Sequence, residues 1–155
     1  MRAVVQRVSQ AQVTIASGEC RSIGAGLVIL LAVTHQDQEE QLDRLLQKIV
    51  SLRIFNDEEG VMNYSLLESG GQALVVSQFT LYGDIRRGNR PSYTRSAPAA
   101  IAIPLYEIFI RRMVEMGIQV QSGEFGDMMD LQLTNSGPVT ILLDSDHASR
   151  SQLPF

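Results

Sequence analysis

Strand-like segments far outnumber helical ones in this sequence, and that imbalance limits the folds open to the chain. Stretches with strand-type alternation or β-branched, apolar composition recur from residue 2 to residue 143. Only two stretches, 37–52 and 98–116, have apolar residues at helical spacing. Each pair of neighbouring parallel strands needs a long crossover, and two helices are too few to supply them all. The sequence therefore predicts an α+β fold, with a mostly antiparallel sheet and two packed helices.

The length and composition indicate one soluble globular domain. The chain has 155 residues, of which 45% are hydrophobic and 19% charged, which is enough for a sizeable core. We assign residues 1–144 to that domain and residues 145–155 to a loosely held tail. The net charge of -4 argues against a protein that coats nucleic acid, but it does not exclude a local basic patch.

The chain lacks the residues that several kinds of site and several cellular locations would require. Cys20 is the only cysteine, so no intrachain disulfide and no cysteine-based metal site is expected. We expect no metal and no cofactor. There is no long apolar region near the N-terminus and no run of about 18 apolar residues. We therefore expect a cytoplasmic protein with no membrane partner.

The chain is also poor in general bases. His35 and His147 are the only histidines, and both are interpreted as solvated surface residues, so a Ser-His-Asp triad has poor candidates. The Gly24-Ala-Gly26 step lacks the third glycine of a dinucleotide loop and precedes a strand. Neither a Walker A motif nor a Gly-x-Ser-x-Gly elbow occurs.

Two neighbouring segments carry unusual polar residues. The stretch 73–81 is predicted as a strand, yet its end, Ser77-Gln78-Phe79-Thr80-Leu81, places three hydrogen-bonding side chains among apolar ones. It is either a strand with one solvated face or part of a site. The loop 82–95 follows, where four arginines and Asp84 give a local charge of +3. Its arginines are either solvated surface charges or a phosphate-binding edge: Arg86, Arg87, Arg90 and Arg95.

A Gly-Pro step interrupts the strand-like stretch 131–143. Both sides of Gly137-Pro138 have strand composition, but proline has no N–H to donate to a ladder, and glycine loses the most entropy on ordering. The residues alone do not say what the chain gains from this step.

Three motifs taken together resemble those of the D-aminoacyl-tRNA deacylases. They are VVSQFTLYGD (75–84), RRGNRPSY (86–93) and TNSGPVT (134–140), in that order. The similarity covers almost the whole chain except about the last ten residues. Asp127 stands where the family typically has a small residue, and residues 96–104 are richer in small residues and proline than usual.

The resemblance implies a rolled sheet, a homodimer, and hydrolysis of the ester between a D-amino acid and the 3′-terminal adenosine of tRNA. It implies that Gly137-Pro138 is a cis step that projects carbonyl oxygens into the partner's site. We expect such oxygens to exclude L-amino acids but not glycine, which has hydrogen on both sides. Because the chain lacks a base, we favour RNA-assisted hydrolysis, in which the ribose 2′-hydroxyl takes the place of a protein base. The implied roles are main-chain oxyanion donors at Phe79 and Thr80, a substrate pocket formed by Ser77, Gln78 and Met129, and tRNA phosphate contacts at Arg86, Arg87 and Arg90.

Two other functions remain open at this point. A non-catalytic tRNA-binding module would account for the arginines, and it would bind tRNA without turnover. A small-ester hydrolase with Thr80 as nucleophile would cleave free amino-acid esters, although Thr80 has no evident base to activate it.

Overall fold

A computed structural model describes residues 1–145 of the chain. Its three α-helices within this range are α1 Glu39–Val50, α2 Leu66–Ser69 and α3 Ala99–Glu115, and a 3-10 helix spans Phe79–Tyr82. The eight strands in the described residues are β1 Arg2–Ile15, β2 Cys20–Ile23, β3 Gly26–Ala32, β4 Phe55–Asn56, β5 Met62–Tyr64, β6 Gln72–Ser77, β7 Val120–Ser122 and β8 Met129–Asp144.

Six of these strands form one mixed sheet, in the order β2-β1-β3-β6-β7 with β8 also on β1. β1 pairs antiparallel with β2, β3 and β8, whereas β3–β6 and β6–β7 are parallel. Arg21 in β2 donates to the carbonyl of Ser122 in β7 (2.9 Å), which links the two ends of the strand order. The result is an α+β fold with a nearly closed, rolled and mostly antiparallel sheet. The short β4–β5 hairpin is separate from it.

The apolar side chains form two clusters on opposite faces of the sheet. One lies between the sheet and the helices, and includes Leu46 of α1 and Phe109 of α3. The other fills the inside of the roll, with Val28, Leu74 and Val76 among its buried members. β1 is long enough to serve both: Ala3 and Val5 belong to the first cluster, and Val8, Ala11 and Val13 to the second. Register irregularities against β8 lie where β1 changes cluster, as expected of bulges that re-aim side chains.

The sequence prediction was wrong in two respects that concern the fold. The strand predicted over 73–81 ends at Ser77, and the chain then turns into the 3-10 helix. The described residues contain three α-helices where two were predicted. The third, α2, is a single turn whose Ser65 and Glu68 form a capping box, and four residues are too few for a periodic signal.

The two long helices lie close to where the spacing predicted them. The N-cap of α1 is Gln38, and Asp37 just before it is buried against the N-terminal ammonium (2.6 Å). α3 continues through Pro104. The predicted tail lies outside the described residues except for Ser145, whose N–H donates to the carbonyl of Met1 (2.8 Å).

Candidate active site

The SQxxL segment forms a turn with unused backbone donors at the end of β6. Ser77 is the last residue of the strand, and the Gln78 N–H still donates to Leu31 of β3 (2.8 Å). The first bond of the following turn is donated by Leu81 to the Gln78 carbonyl (3.1 Å). The N–H groups of Phe79 and Thr80 precede that bond and have no acceptor among residues 1–145. Two adjacent amides therefore remain free to bind a ligand oxygen.

Side chains hold this turn open to solvent. The Gln78 amide donates to the Thr80 hydroxyl. The Phe79 carbonyl accepts a bond from the Ser96 hydroxyl (2.8 Å). The Phe79 ring is 53% exposed and packs edge-to-face with Tyr93, at 5.1 Å between ring centroids. The backbone donors thus lie at an accessible surface with aromatic character.

Residues 94–97 are the support behind Phe79, and sequence reasoning missed how they are held. Thr34 donates through its hydroxyl to the Arg95 carbonyl (2.7 Å) and forms a β-bridge with Ser96. The Thr34 N–H donates to Asp37 (2.7 Å), the same carboxylate that binds the N-terminal ammonium. No local sequence pattern predicts this support, because the two segments that form it, residues 34–37 and 94–97, are far apart in sequence.

The Thr80 hydroxyl has no base beside it in the described part of the chain. His35 is exposed, and its Nε2 donates to the Thr94 carbonyl (3.0 Å), so it fixes the supporting segment. Among residues 1–145, the only side chain bonded to the Thr80 hydroxyl is the Gln78 amide, which cannot accept its proton at neutral pH. His147, the other histidine considered, lies outside the described residues. This geometry favours Thr80 as a source of a backbone donor over Thr80 as a nucleophile.

Met129 lies inside the roll near the end of β6. A Cβ atom built on Gly123 would lie 2.5 Å from the Met129 sulfur and 3.9 Å from Val76, which immediately precedes Ser77. The structure therefore brings Met129 close to the end of β6 that leads into the turn. Asp127, the atypical residue nearby, accepts hydrogen bonds from the N–H groups of Ala16 and Met128 (both 2.9 Å), so its carboxylate is engaged with backbone.

The arginine loop is closed at its base, and one of its four arginines is paired with Asp84. Asp84 and Ser92 exchange backbone hydrogen bonds (2.8 and 2.9 Å). Arg86 binds the Asp84 carboxylate (2.5 Å); these hydrogen bonds hold the pKa of Asp84 well below its usual range and raise the pKa of Arg86. Arg95 lies over the Tyr82 ring, 5.6 Å from its centroid. Arg87 and Arg90 are exposed, and no ion pair joins either to a residue of the described chain.

Gly137-Pro138 forms the tip of an exposed bulge in β8, and the bond between them is cis. Thr140 pairs with Gln6 and Asn135 with Val8, so residues 136–139 stand opposite Arg7 alone. A Gly-Pro step is thus accommodated inside a strand because this part of β8 leaves the ladder.

Side chains from two strands hold the bulge. Asn135 spans it by accepting the Val139 N–H (2.8 Å) and donating to the Val139 carbonyl (3.2 Å). Arg7 donates to the Ser136 carbonyl (3.0 Å) and binds the Ile54 carbonyl and the Asn56 side chain (3.2 Å). Glycine is required at 137 because φ is +126° and an added Cβ would lie 2.6 Å from Arg7. Asn135 and Arg7 were not singled out from the sequence, although Asn135 belongs to the motif.

The two motifs lie apart within one chain. Ser77 is level with Leu31, Ala3 and Leu143, whereas the bulge stands opposite Arg7. The four steps along β1 from Ala3 to Arg7 correspond to about 14 Å, and β6 and β8 are also three strand spacings apart. The structure does not bring Gly137-Pro138 to Phe79 and Thr80 of the same chain.

Two further properties concern the described residues. No group of three or more histidine, cysteine, aspartate or glutamate side chains lies close enough to hold a metal ion. No helix within residues 1–145 is long and apolar enough to cross a membrane.

Comparison with known proteins agrees with the motif resemblance. Residues 4–144 match the family described as D-Tyr-tRNA(Tyr) deacylase. A protein of Roseiflexus sp. strain RS-1 named D-aminoacyl-tRNA deacylase is 55% identical over 145 residues, which are 94% of either chain. A protein of the same name from Thermus aquaticus is 51% identical, covering 94% of this chain and 95% of its own.

The fold is also known from experiment. A solved structure titled c-Myc DNA Unwinding Element Binding Protein superposes with a TM-score of 0.86 at 36% identity, covering 93% of this chain and 98% of its own. The family resemblance predicted from the sequence is therefore confirmed, and the chain belongs to the D-Tyr-tRNA(Tyr) deacylase family.

Proposed function

We propose that this protein hydrolyses the ester bond of D-aminoacyl-tRNA in the cytoplasm, releasing free tRNA and the D-amino acid. The observation that carries the proposal is membership of the family over residues 4–144, with near-complete relatives named D-aminoacyl-tRNA deacylase. The free backbone donors of Phe79 and Thr80 give that activity a physical basis. Such a reaction removes D-residues before they reach translation.

The chemical step requires stabilisation of negative charge on the ester carbonyl oxygen. When water adds to the carbonyl carbon, that oxygen becomes an oxyanion, and the N–H groups of Phe79 and Thr80 are placed to donate to it. The bond to the ribose 3′-oxygen then breaks, and that oxygen takes up a proton. The neighbouring 2′-hydroxyl of the substrate supplies the proton relay that the protein lacks. Ser77 and Gln78 shape the adenosine side of the pocket, and Met129 lines it.

The surroundings of Thr80 support this mechanism over a covalent one. A hydroxyl bonded only to a glutamine amide is not activated for attack. A small-ester hydrolase with Thr80 as nucleophile would need a base within hydrogen-bond reach, and the described residues provide none.

Gly137-Pro138 acts, in this proposal, on the site of a second copy of the chain. The bulge is exposed and lies far from Phe79 of its own chain. A two-fold dimer is therefore the simplest arrangement that would bring it next to the Phe79–Thr80 turn of a second copy. Its carbonyl oxygens would accept hydrogen bonds from the substrate ammonium group and leave no room for an L side chain. Glycine, which has hydrogen on both sides, would not be rejected, so glycyl-tRNA is also a substrate.

Mixing two variants with different defects tests this arrangement. Phe79→Pro removes a donor from the turn, and Gly137→Ala disturbs the bulge. In a mixed dimer, one site combines an intact turn with an intact bulge from the partner. Gly137→Ala alone should hydrolyse both D- and L-aminoacyl-tRNA, because its turn is intact. With a large excess of Phe79→Pro, almost every Gly137→Ala chain lies in a mixed dimer, so the ratio of D- to L-aminoacyl-tRNA hydrolysis should return to near the wild-type value. No recovery despite exchange would mean that the bulge does not act across the interface.

The direct test of function uses matched D- and L-aminoacyl-tRNAs that carry the same side chain. Release of the amino acid from the D-form and glycyl-tRNA, with the L-form left nearly intact, is the expected result. Tight tRNA binding without turnover would instead favour a binding module. Turnover of free D-amino-acid esters at the rate seen with tRNA would favour the small-ester hydrolase.

A further inference from the structure

We infer that the exposed Phe79–Tyr93 pair is a stacking platform for an unpaired base just upstream of the terminal adenosine of tRNA. The inference deepens the proposed function and rests on it. Phe79 is 53% exposed and Tyr93 38% exposed, and their rings meet edge-to-face. Two large aromatic side chains left in solvent at one place are unusual for a surface and suit the flat face of a base.

The platform is built into the same turn as the proposed oxyanion donors. The Phe79 ring belongs to the residue whose N–H faces the ester, and the Phe79 carbonyl is fixed by Ser96 (2.8 Å). On the other side, a Cβ built on Gly83 would lie 3.2 Å from the Tyr93 ring, so the loop backbone passes close against it. Both rings are therefore positioned by backbone contacts and are not loosely attached surface groups.

Positive charge lies next to the platform where a nucleic-acid backbone would run. Tyr93 directly follows Ser92, whose bridge to Asp84 closes the loop that carries Arg87 and Arg90. Both arginines are exposed and have no ion-pair partner in the described chain, whereas Arg86 is bound to Asp84. Aromatic faces beside unpaired arginines are the combination by which proteins hold single-stranded nucleic acid. The unpaired 3′ end of tRNA fits this chemistry, because it is single-stranded and carries both bases that can stack and phosphates that can bind arginine.

Tyr93→Leu tests the platform, with Tyr93→Phe as its matched control. Stacking on an aromatic side chain contributes about 1–3 kcal/mol per base, so Tyr93→Leu should lower kcat/KM for D-aminoacyl-tRNA by about 5- to 150-fold. Tyr93→Phe keeps the ring and should recover most of that loss. The same variants are then assayed on D-aminoacyl-adenosine, which has no upstream nucleotide.

The comparison of the two substrates decides the inference. A loss with Tyr93→Leu that is at least about fivefold larger on tRNA than on D-aminoacyl-adenosine supports it. Equal losses on both substrates would overturn it, because the ring would then act only within the ester site. Wild-type protein that cleaves neither substrate would refute the proposed function itself, which keeps the two failures distinct.

Binding of uncharged tRNA gives a readout independent of turnover. A tRNA whose two nucleotides before the terminal adenosine are abasic should bind the wild type more weakly than normal tRNA, and Tyr93→Leu should remove that difference. Arg87→Ala should also lower the slope of log affinity against log salt by about one, whereas Arg111→Ala on α3 should not. Equal binding of abasic and normal tRNA by the wild type would overturn the stacking role.

Discussion

The turn after β6 and the bulge in β8 both interrupt a strand, but they expose opposite kinds of backbone group. At Phe79 and Thr80 the chain enters a 3-10 helix, which leaves N–H donors without acceptors. At Gly137-Pro138, β8 bulges away from β1, and its register against β1 shifts by three residues across the bulge. The exposed segment has carbonyl oxygens but lacks one N–H, because proline has none. One segment suits a developing negative charge, and the other suits a substrate ammonium group.

The two segments are also held in different ways. The turn is fixed mainly by backbone bonds of its own residues and by Ser96. The bulge depends on side chains, with Asn135 across its neck and Arg7 beneath it. We therefore expect substitutions within the turn to disturb its backbone donors less than substitutions at the bulge disturb the Gly-Pro carbonyls.

The largest effect is expected when a donor is removed from the turn. Phe79 is the first residue of the 3-10 helix, a position where proline is tolerated, and Gln78 before it lies outside the helical region that a following proline disfavours (φ -136°, ψ 69°). Phe79→Pro deletes the N–H, and Phe79→Ala keeps it while also losing the ring. The kcat of Phe79→Pro should be about 100- to 1000-fold below that of Phe79→Ala. Similar single-turnover rates for the two folded variants would exclude this N–H as an oxyanion donor.

A smaller but more specific effect is expected at the bulge. Gly137→Ala places a Cβ 2.6 Å from Arg7 and 2.9 Å from Val139 at a φ of +126°. The ratio of D- to L-aminoacyl-tRNA hydrolysis should fall by about tenfold or more as the carbonyls move, and unfolding free energy should fall by about 1–3 kcal/mol. Gly60→Ala is the control, since φ there is +80° but an added Cβ meets no atom within 4 Å. An unchanged ratio would mean that the bulge does not set chirality.

Thr80→Ala should have a weak effect, since the substitution keeps the backbone N–H and removes only the hydroxyl bonded to Gln78. Side-chain loss at an exposed position typically costs under about 0.5 kcal/mol in stability, and we expect kcat to fall less than about fivefold. Single-turnover hydrolysis with thermal unfolding measured in parallel would check this. Complete inactivity in a folded variant would restore Thr80 as the nucleophile.

The smallest effect concerns the arginine loop and pH. Hydrogen bonds from Arg86 lower the folded-state pKa of Asp84 below its ordinary value of 3.8. The stabilisation from the Arg86–Asp84 contact is therefore fully present above pH 3.8 and is lost as the pH falls through the lower pKa that Asp84 has in the folded protein. The Asp84 carboxyl, followed by NMR, should stay ionised well below pH 3.8, and Arg86→Ala should move its midpoint upward. If Arg87→Ala raised the pKa of Asp84 as much as Arg86→Ala does, the lowered pKa would be due to the general positive charge of the loop and not to the Arg86 hydrogen bonds.

Sequence reasoning succeeded where a signal is local and failed where it depends on distant partners. The spacing of Leu42, Leu46 and Ile49 gave α1, and the motifs gave the family. The strand assignment beyond Ser77 failed because Phe-Thr-Leu has strand propensity, whereas the turn is fixed by Ser96 and the loop behind it.

The candidate site shows the same limit. Gly137-Pro138 was noticeable in the sequence because it contradicts its surroundings, but Arg7 was not, since a single arginine in a strand carries no local signal. The sequence also did not show which arginine of the loop pairs with Asp84, because the Arg86–Asp84 ion pair depends on side-chain conformation.

The pairing of β1 with β8 has a consequence for how the protein is made. Arg2 lies opposite Asp144 and forms an ion pair with it (2.7 Å), so the first strand synthesised completes its ladder only with the last described one. Contacts between residues so distant in sequence slow folding, since a long loop must close first. On the ribosome, one edge of β1 would stay unpaired until nearly the whole chain had emerged. A nascent chain arrested before β8 should therefore be sensitive to protease along β1 and should become protected once residue 144 clears the exit tunnel.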